Sequence, residues 1–251
     1  MRLPREYKQL ENGTWMYDGH VCIATCTCEI HGQYPTVYVD DYGNSRVIYN
    51  KFCPYCNLQN IVESKIGRSL IPPRFRDKTL ESYTEVKDFQ RRAKAKVADY
   101  IKSIDDNIAK GASVIMVGGV GTGKTHLSVA LLRSAIENGY SGLFITASDL
   151  FISIRDTWGR NGGVSTSERV QQYKDIDLLV IDEIGVQRGT DNEKEILFSI
   201  INDRYNNIRP TVLLSNLSVD RVRDYIGERI YDRMKEDGGS LIVLNGESFR
   251  K

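Results

Sequence analysis

The sequence predicts an α/β domain, a parallel sheet covered by helices, preceded by a small separate N-terminal domain. Three observations carry this reading. Short apolar runs alternate with amphipathic stretches from residue 113 onward, a glycine-rich stretch joins the first run to its helix, and all five cysteines fall between Cys22 and Cys56. Strands that alternate with helices build parallel sheets buried on both faces, so their strands read as continuous apolar runs. In order the pattern gives Ser113 to Val117 (strand), Thr125 to Glu137 (helix), Gly142 to Thr146 (strand), Ala147 to Thr157 (helix) and Leu178 to Ile181 (strand). It continues with Lys194 to Asn207 (helix), Thr211 to Ser215 (strand), Val222 to Met234 (helix) and Leu241 to Leu244 (strand).

Composition agrees with a folded, water-exposed chain. Hydrophobic residues are 41% and charged residues 27% of 251, enough to bury a core and too apolar for disorder. A net charge of +1 means that any nucleic-acid contact must come from a local basic patch. Apolar stretches such as Val114 to Val117 fall far short of the roughly 20 residues that span a bilayer. Met1 to Lys8 is charged, contains Pro4 and has no apolar stretch behind it, so a cytoplasmic location is expected.

Ile71-Pro72-Pro73 forces an extended backbone and ends the helix suggested by Asn57 to Lys65. The expected boundary therefore divides residues 1–70, a partner-interaction domain, from residues 71–251. Beyond it, Glu85 to Ala109 carries Phe89, Ala93, Val97, Tyr100, Ile101 and Ile104 at helical spacing, with a basic outer face.

In the N-terminal part, Cys53-Pro54-Tyr55-Cys56 has the spacing of a zinc knuckle, and Cys28-Glu29-Ile30-His31 supplies a second pair. Cys28, His31, Cys53 and Cys56 are the favoured tetrahedral ligands of a structural zinc, with Cys26 the alternative to His31. The competing reading is that these are free thiols packed as small hydrophobes. Thr36 to Tyr49, broken at Asp41-Tyr42-Gly43-Asn44, reads as a β-hairpin between the two knuckles.

Gly118-Gly119-Val120-Gly121-Thr122-Gly123-Lys124-Thr125 fits G-x4-G-K-[ST] and lies between a predicted strand and a predicted helix, as a phosphate-binding loop requires. Its glycines let successive N–H groups turn inward around phosphate oxygens, and the helix N-terminus adds its positive dipole end. Lys124 is expected to reach the β and γ phosphates, and the Thr125 hydroxyl to ligate Mg²⁺. The nucleotide-contacting stretch extends to His126. Leu178 to Ile181 ends in Asp182 and Glu183, where Asp182 is expected to join the Mg²⁺ shell and Glu183 to take a proton from the attacking water. Asn216, after the strand Thr211 to Ser215, is placed to contact the γ-phosphate or that water; a loop cap is the plainer alternative. Arg229 and Arg233 are four apart on one helix face, fit either for an arginine finger or for a solvated ion-pair helix with Glu228 and Asp232.

These elements resemble the AAA+ ATPases, and within them the DnaC-like helicase loaders and the IstB-like ATPases of transposition. The resemblance covers about Ile71 to Lys251. It rests on Ile-Pro-Pro-Arg-Phe at 71 to 75, Gly-Thr-Gly-Lys-Thr-His-Leu at 121 to 127, Asp177 to Gln187, Ser215-Asn216, and Gly-Glu-Arg-Ile-Tyr-Asp-Arg-Met at 227 to 234. It implies ATP hydrolysis with Mg²⁺, Asn216 as the sensor, Arg233 as an arginine finger acting in trans across a self-assembled spiral, and Arg229 as its partner. It also implies binding of a DnaB-type replicative helicase and its placement on single-stranded DNA, or, for the IstB-like branch, assistance to a transposase. Asp149 to Lys174 corresponds to the insertion that contacts single-stranded DNA in this family, and here it carries Phe151, Arg155, Trp158, Arg160, Arg169 and Tyr173. Two departures accompany it. The chain ends at Lys251, soon after Leu244, so the C-terminal helical lid of many AAA+ proteins is expected to be lacking. The cysteine window is of a kind seen on phage- and prophage-type loaders.

Overall fold

Two hydrogen-bonded sheets organise the chain, one in each of two compact units, Met1–Ser64 and Lys65–Lys251. The computed structural model describes residues 7–29, 32–48, 62–157, 165–186 and 190–246.

The first unit is an antiparallel meander in the order β1 (Tyr7–Gln9), β2 (Trp15–Tyr17), β3 (His20–Cys28), β4 (Gly32–Val39), β5 (Ser45–Val47). Asp18 (φ 47°) and Gly19 (φ 84°) join β2 to β3 in a two-residue turn whose left-handed conformations match the twist of a hairpin. The Asp40 carboxylate accepts from the backbone N–H groups of Tyr42 and Asn44 at 3.0 and 2.8 Å, closing the turn between β4 and β5. That hairpin is the expected one, with Val37 opposite Val47 and Val39 opposite Ser45. The three strands before it went unread: β1 and β2 are each three residues long, and the nine-residue β3 places Val21 and Ile23 at exposed positions, so its apolar residues mark no buried face.

Cys22, Cys26 and Cys28 lie in strand β3, with Cys26 opposite Tyr34 and Cys28 opposite Gly32 at the strand's end. His31, Cys53 and Cys56 lie outside the described residues. Among the described residues no three of His, Cys, Asp or Glu converge on a point that could hold a metal ion.

The second unit opens with residues 65–68 of α1 (62–68), a helix that runs past the expected end at Lys65, and a 3-10 turn, Pro73–Phe75. The expected helix Glu85 to Ala109 is two, α2 (Asp88–Lys102) and α3 (Ile104–Ala109), broken at Ser103 where the backbone leaves the helical region (φ −114°, ψ 38°). The Gln90 side chain accepts from the Val86 and Lys87 N–H groups and so fixes where α2 begins. The remaining elements follow in turn: β6 (Val114–Gly118), α4 (Lys124–Glu137), β7 (Gly142–Thr146), α5 (Ala147–Arg155), α6 (Thr166–Asp175) and β8 (Leu178–Asp182). After these come α7 (Asp191–Asn206), β9 (Thr211–Ser215), α8 (Val219–Ile226), α9 (Glu228–Arg233) and β10 (Ser240–Leu244). The expected helix Val222 to Met234 is also two, since Gly227 (φ 82°) breaks it into α8 and α9.

The sheet is parallel throughout in the order β10-β6-β9-β8-β7. Residues Val114 to Val117 and Leu178 to Ile181 are all at most 1% exposed, each burial contributing about 1.5–3 kcal/mol and accounting for the unbroken apolar runs. Ile115, Val117, Ile181 and Leu213 pack against α5, α7, α8 and α9 on one face, while α2 and α4 lie against the sheet on the other. No helix among the described residues is long and apolar enough to cross a membrane.

One buried cation ties the frame together. Arg204, with no solvent exposure, donates to the carbonyls of Tyr173, Ile176 and Pro210 at 3.0, 2.6 and 2.5 Å and to Thr211 Oγ1 at 2.9 Å. Burial pulls its pKa down to about 9, still above neutrality, so the guanidinium keeps its charge. Arg204→Leu leaves several buried carbonyls without a donor. It is expected to lower unfolding free energy by at least about 3 kcal/mol in a urea titration, and a smaller loss would mean that these carbonyls find other partners.

Candidate active site

Parallel strands bring their carboxyl ends to one edge, and here β9 lies between β6 and β8. Val117 is in register with Ser215, and Leu213 with Ile181, so three loops leave the sheet at one level. They carry Gly118 to Thr125, Asp182 with Glu183, and Asn216. The cavity they border measures about 330 Å³ and is lined by Val120, Gly121, Gly123, Lys124, Thr125, His126, Asp182, Glu183 and Asn216.

Two glycines are required sterically. At Gly118 (φ 154°) a Cβ would stand 2.3 Å from the Leu244 carbonyl oxygen of β10, and at Gly123 (φ 103°) it would stand 2.7 Å from the Tyr83 ring. Gly123 is the last residue before α4, so its left-handed conformation sets the direction in which that helix starts. Thr122 turns inward, fully buried, and donates to the Gly119 carbonyl at 2.9 Å. Gly118, Gly119 and Thr122 thus shape the loop while Val120, Gly121 and the residues from Gly123 to His126 border the cavity.

Lys124 is 6% exposed, and its ammonium donates to the Gly118 and Gly119 carbonyls and to Asn216 Oδ1, each at 2.7 Å. A buried ammonium needs such acceptors, and phosphate oxygens can replace them. Thr125 Oγ1 donates to Asp182 Oδ2 at 3.0 Å. A hydroxyl and one carboxylate are the hard oxygen donors that Mg²⁺ takes from protein, with water and phosphate supplying the rest, so these residues fit that ion. Burial raises the Asp182 pKa, opposed by the Glu183 N–H, the Thr125 hydroxyl and the Lys124 charge.

Glu183 is exposed and adopts φ 62°, an uncommon conformation for a residue with a side chain. The turn that imposes it is fastened to β9: the Ile184 N–H donates to the Leu214 carbonyl at 2.9 Å, and Ser215 Oγ donates to the Ile184 carbonyl at 2.6 Å. Ser215 therefore pins the turn, leaving Asn216 to meet Lys124.

Arg229 and Arg233 both lie on α9, and neither borders the cavity. Arg229 is exposed, with its guanidinium 5.9 Å from the Phe198 ring centre, and Arg233 lies 4.9 Å above Tyr205. Of the insertion's expected DNA contacts, Phe151 and Tyr173 are 1% and 5% exposed and belong to the core, so neither ring is available on the surface for stacking. Arg155 is exposed, 3.8 Å from Glu193, and Trp158 and Arg160 lie outside the described residues.

The structure adds residues to which the sequence reading gave no role at the nucleotide site. Arg74, Phe75 and Lys78 complete the cavity wall. Behind them, His126 Nε2 lies 2.8 Å from the Thr79 carbonyl, its ring meets Tyr83 edge-on at 5.1 Å, and Tyr83 OH donates to the Thr122 carbonyl at 3.4 Å. The signal available was a basic and aromatic cluster beside two prolines, with no spacing rule linking it to the glycine loop.

The family described as IstB-like ATP-binding protein matches residues 68–251, most of the chain. The chain belongs to this IstB/DnaC family. It is 35% identical over 189 residues to the replicative helicase loader DnaC of Escherichia coli K12, covering 75% of this chain and 76% of that one. Among solved structures it is similar to the DnaC helicase loader, with a TM-score of 0.61 and 25% identity over 69% of this chain and 99% of the other. AMPPCP-bound DnaA from Aquifex aeolicus shares the fold, with a TM-score of 0.57 over 70% of this chain and 51% of that one. The second unit is therefore an AAA+ P-loop ATPase fold.

Burial lowers the His126 pKa below the ordinary imidazole value, assisted by the Lys78 and Lys94 charges and opposed by the bond to the Thr79 carbonyl. The unfolded chain therefore takes up the proton first, and stability falls as pH drops below about 6.5 toward the folded value. Urea midpoints at neutral and mildly acidic pH should show this loss in the natural protein and a smaller one in His126→Gln. Equal losses would remove His126 from the account.

Proposed function

We propose that this chain is an ATP-hydrolysing loader that binds a ring-shaped DnaB-type replicative helicase and places it on single-stranded DNA. The observation that carries the reading is the joint one: extended similarity to a replicative helicase loader, in a chain whose P-loop lysine, paired acidic residues and Asn216 meet around one cavity. The alternative, assistance to a transposase, uses the same nucleotide site. Extended similarity to DnaC favours the loader.

In the proposed cycle the amides from Gly119 to Lys124 cradle the phosphates, and Lys124 exchanges its carbonyl partners for β and γ oxygens. Thr125 and Asp182 would hold Mg²⁺, which neutralises phosphate charge. Glu183 accepts the proton of the water that attacks the γ-phosphorus, and ADP and phosphate leave. Asn216, released when Lys124 turns to phosphate, orients that water. Arg74 and Lys78 add positive charge at the wall, and Phe75 gives the base an apolar surface. Arg233, on a helix that does not border its own cavity, reaches the nucleotide of a neighbouring copy, with Arg229 beside it.

Glu183→Gln should bind an ATP analogue as the natural protein does while turnover falls at least about 100-fold. Unchanged turnover would assign the base elsewhere. Arg233→Ala should bind ATP normally as a monomer yet lose about 1,000-fold of the turnover that appears on assembly. Loss of binding in the monomer would contradict action in trans.

A further inference from the structure

Arginines that only brace a surface find carboxylates, and this chain has several of that kind. Arg223 pairs with Glu228, Arg209 with Asp175 at 3.2 Å and Arg133 with Glu137 at 3.4 Å. Arg233 differs from them. Asp232, Glu236 and Asp237 lie within four residues of it, yet among the described residues its guanidinium forms no ion pair and no hydrogen bond, and its Nη1 is buried without an acceptor.

An aromatic face holds it instead. The Arg233 guanidinium carbon lies 4.9 Å from the centre of the Tyr205 ring, inside the roughly 6 Å range of cation–π attraction. Tyr205 is next to last on α7, and its hydroxyl donates to the Glu236 carboxylate in the turn after α9. That bond fixes the ring and engages an acid otherwise free to neutralise Arg233. The preceding residue, the buried Arg204, ties the same turn of α7 to the Tyr173 and Pro210 carbonyls, so the ring stands on a rigid base. Two helical turns earlier on α7, Phe198 lies 5.9 Å from the Arg229 guanidinium. One helix thus offers a ring to each of the two arginines.

A ring attracts a guanidinium without consuming its N–H donors, whereas a carboxylate consumes them and cancels the charge. The stack removes rotamer freedom from the side chain and leaves charge and donors for an incoming anion, so the ordering cost is met before that anion arrives. Burial of Nη1 without an acceptor is itself costly, and a phosphate oxygen relieves that cost. We infer that Tyr205 is the positioning residue of Arg233, holding its guanidinium ordered and unneutralised on α9 until a neighbouring copy presents the γ-phosphate of its ATP. This rests on the proposed action of Arg233 in trans and adds the residue that aims it.

The experiment follows ATP turnover per chain as the concentration of the full chain rises, so that the midpoint reports assembly and the plateau reports chemistry in the assembled state. Tyr205→Leu should lower the plateau about tenfold without moving the midpoint or the affinity for an ATP analogue. Tyr205→Phe keeps the ring and loses only the bond to Glu236, so its plateau should stay within about threefold of the natural one. Added to Arg233→Ala, Tyr205→Leu should lower the plateau no further. Tyr205→Met, close in volume and lacking a π face, carries the same expectation as Leu, so the test survives a Leu variant that folds poorly. A natural plateau in the Leu or Met variant, alongside a lost one in Arg233→Ala, overturns the positioning role and leaves the arginine finger standing. A plateau in Tyr205→Phe as low as in Tyr205→Leu overturns the ring as the agent. A further loss in the double variant overturns Arg233 as the group through which Tyr205 acts. A shifted midpoint with an intact plateau makes Tyr205 an assembly contact only and overturns the proposal as well. A natural plateau in Arg233→Ala removes the finger itself, and the role of Tyr205 with it.

Discussion

A lysine ammonium held almost out of water by three oxygens is the constraint on which the candidate site depends. Lys124 can sit there only because the Gly118 and Gly119 carbonyls and Asn216 Oδ1 each lie 2.7 Å away. Those acceptors come from two different loops, so the site exists only if β6 and β9 are neighbours in the observed register. Gly118 must also approach Leu244 too closely for any side chain, which ties the loop to β10 on the opposite side. The arrangement is poised for exchange, because phosphate oxygens are stronger acceptors for an ammonium than neutral carbonyls. Departure of Lys124 toward phosphate frees Asn216 in the same movement.

Around this contact the molecule spends polar groups on position. Ser215 fastens the turn that carries Glu183, and Arg204 gathers carbonyls from the end of α6 and the start of β9. The insertion is thereby joined through buried hydrogen bonds to the strand that precedes Asn216. A single frame thus carries the nucleotide site at one edge of the sheet and, next to Arg204 on α7, the Tyr205 ring that holds Arg233.

Much of this was legible in the residues. Buried parallel strands announce themselves as apolar runs, so β7 and β9 have the expected limits, and a loop motif with fixed spacing names its own lysine and hydroxyl. What escaped did so for physical reasons. Ser103 and Gly227 break helices whose apolar spacing continues across the break, so periodicity alone read through them. Phe151, in the apolar run Leu150-Phe151-Ile152, also reads as a helix residue packed inward, whereas Tyr173 stands in a polar stretch and only tertiary packing turns it inward. The starts of α6 and α7 were readable and were missed: Ser165 with Glu168, and Thr190 with Glu193, are reciprocal caps that mark each first turn. The wall formed by Arg74, Phe75 and Lys78 meets the P-loop only through the fold, and no local rule reports it. In the N-terminal meander, strands of three residues carry too little pattern to be seen.

The central claim is that ATP-bound copies of this chain place a closed helicase ring where it cannot thread itself. A circular single strand with a short annealed fragment has no end for a ring to slide over. Unwinding of that fragment by a DnaB-type helicase is therefore the most direct measurement. The account predicts unwinding that appears only when both this chain and ATP are added. Helicase that unwinds the fragment equally well without the chain, or remains inactive with it, would contradict the account.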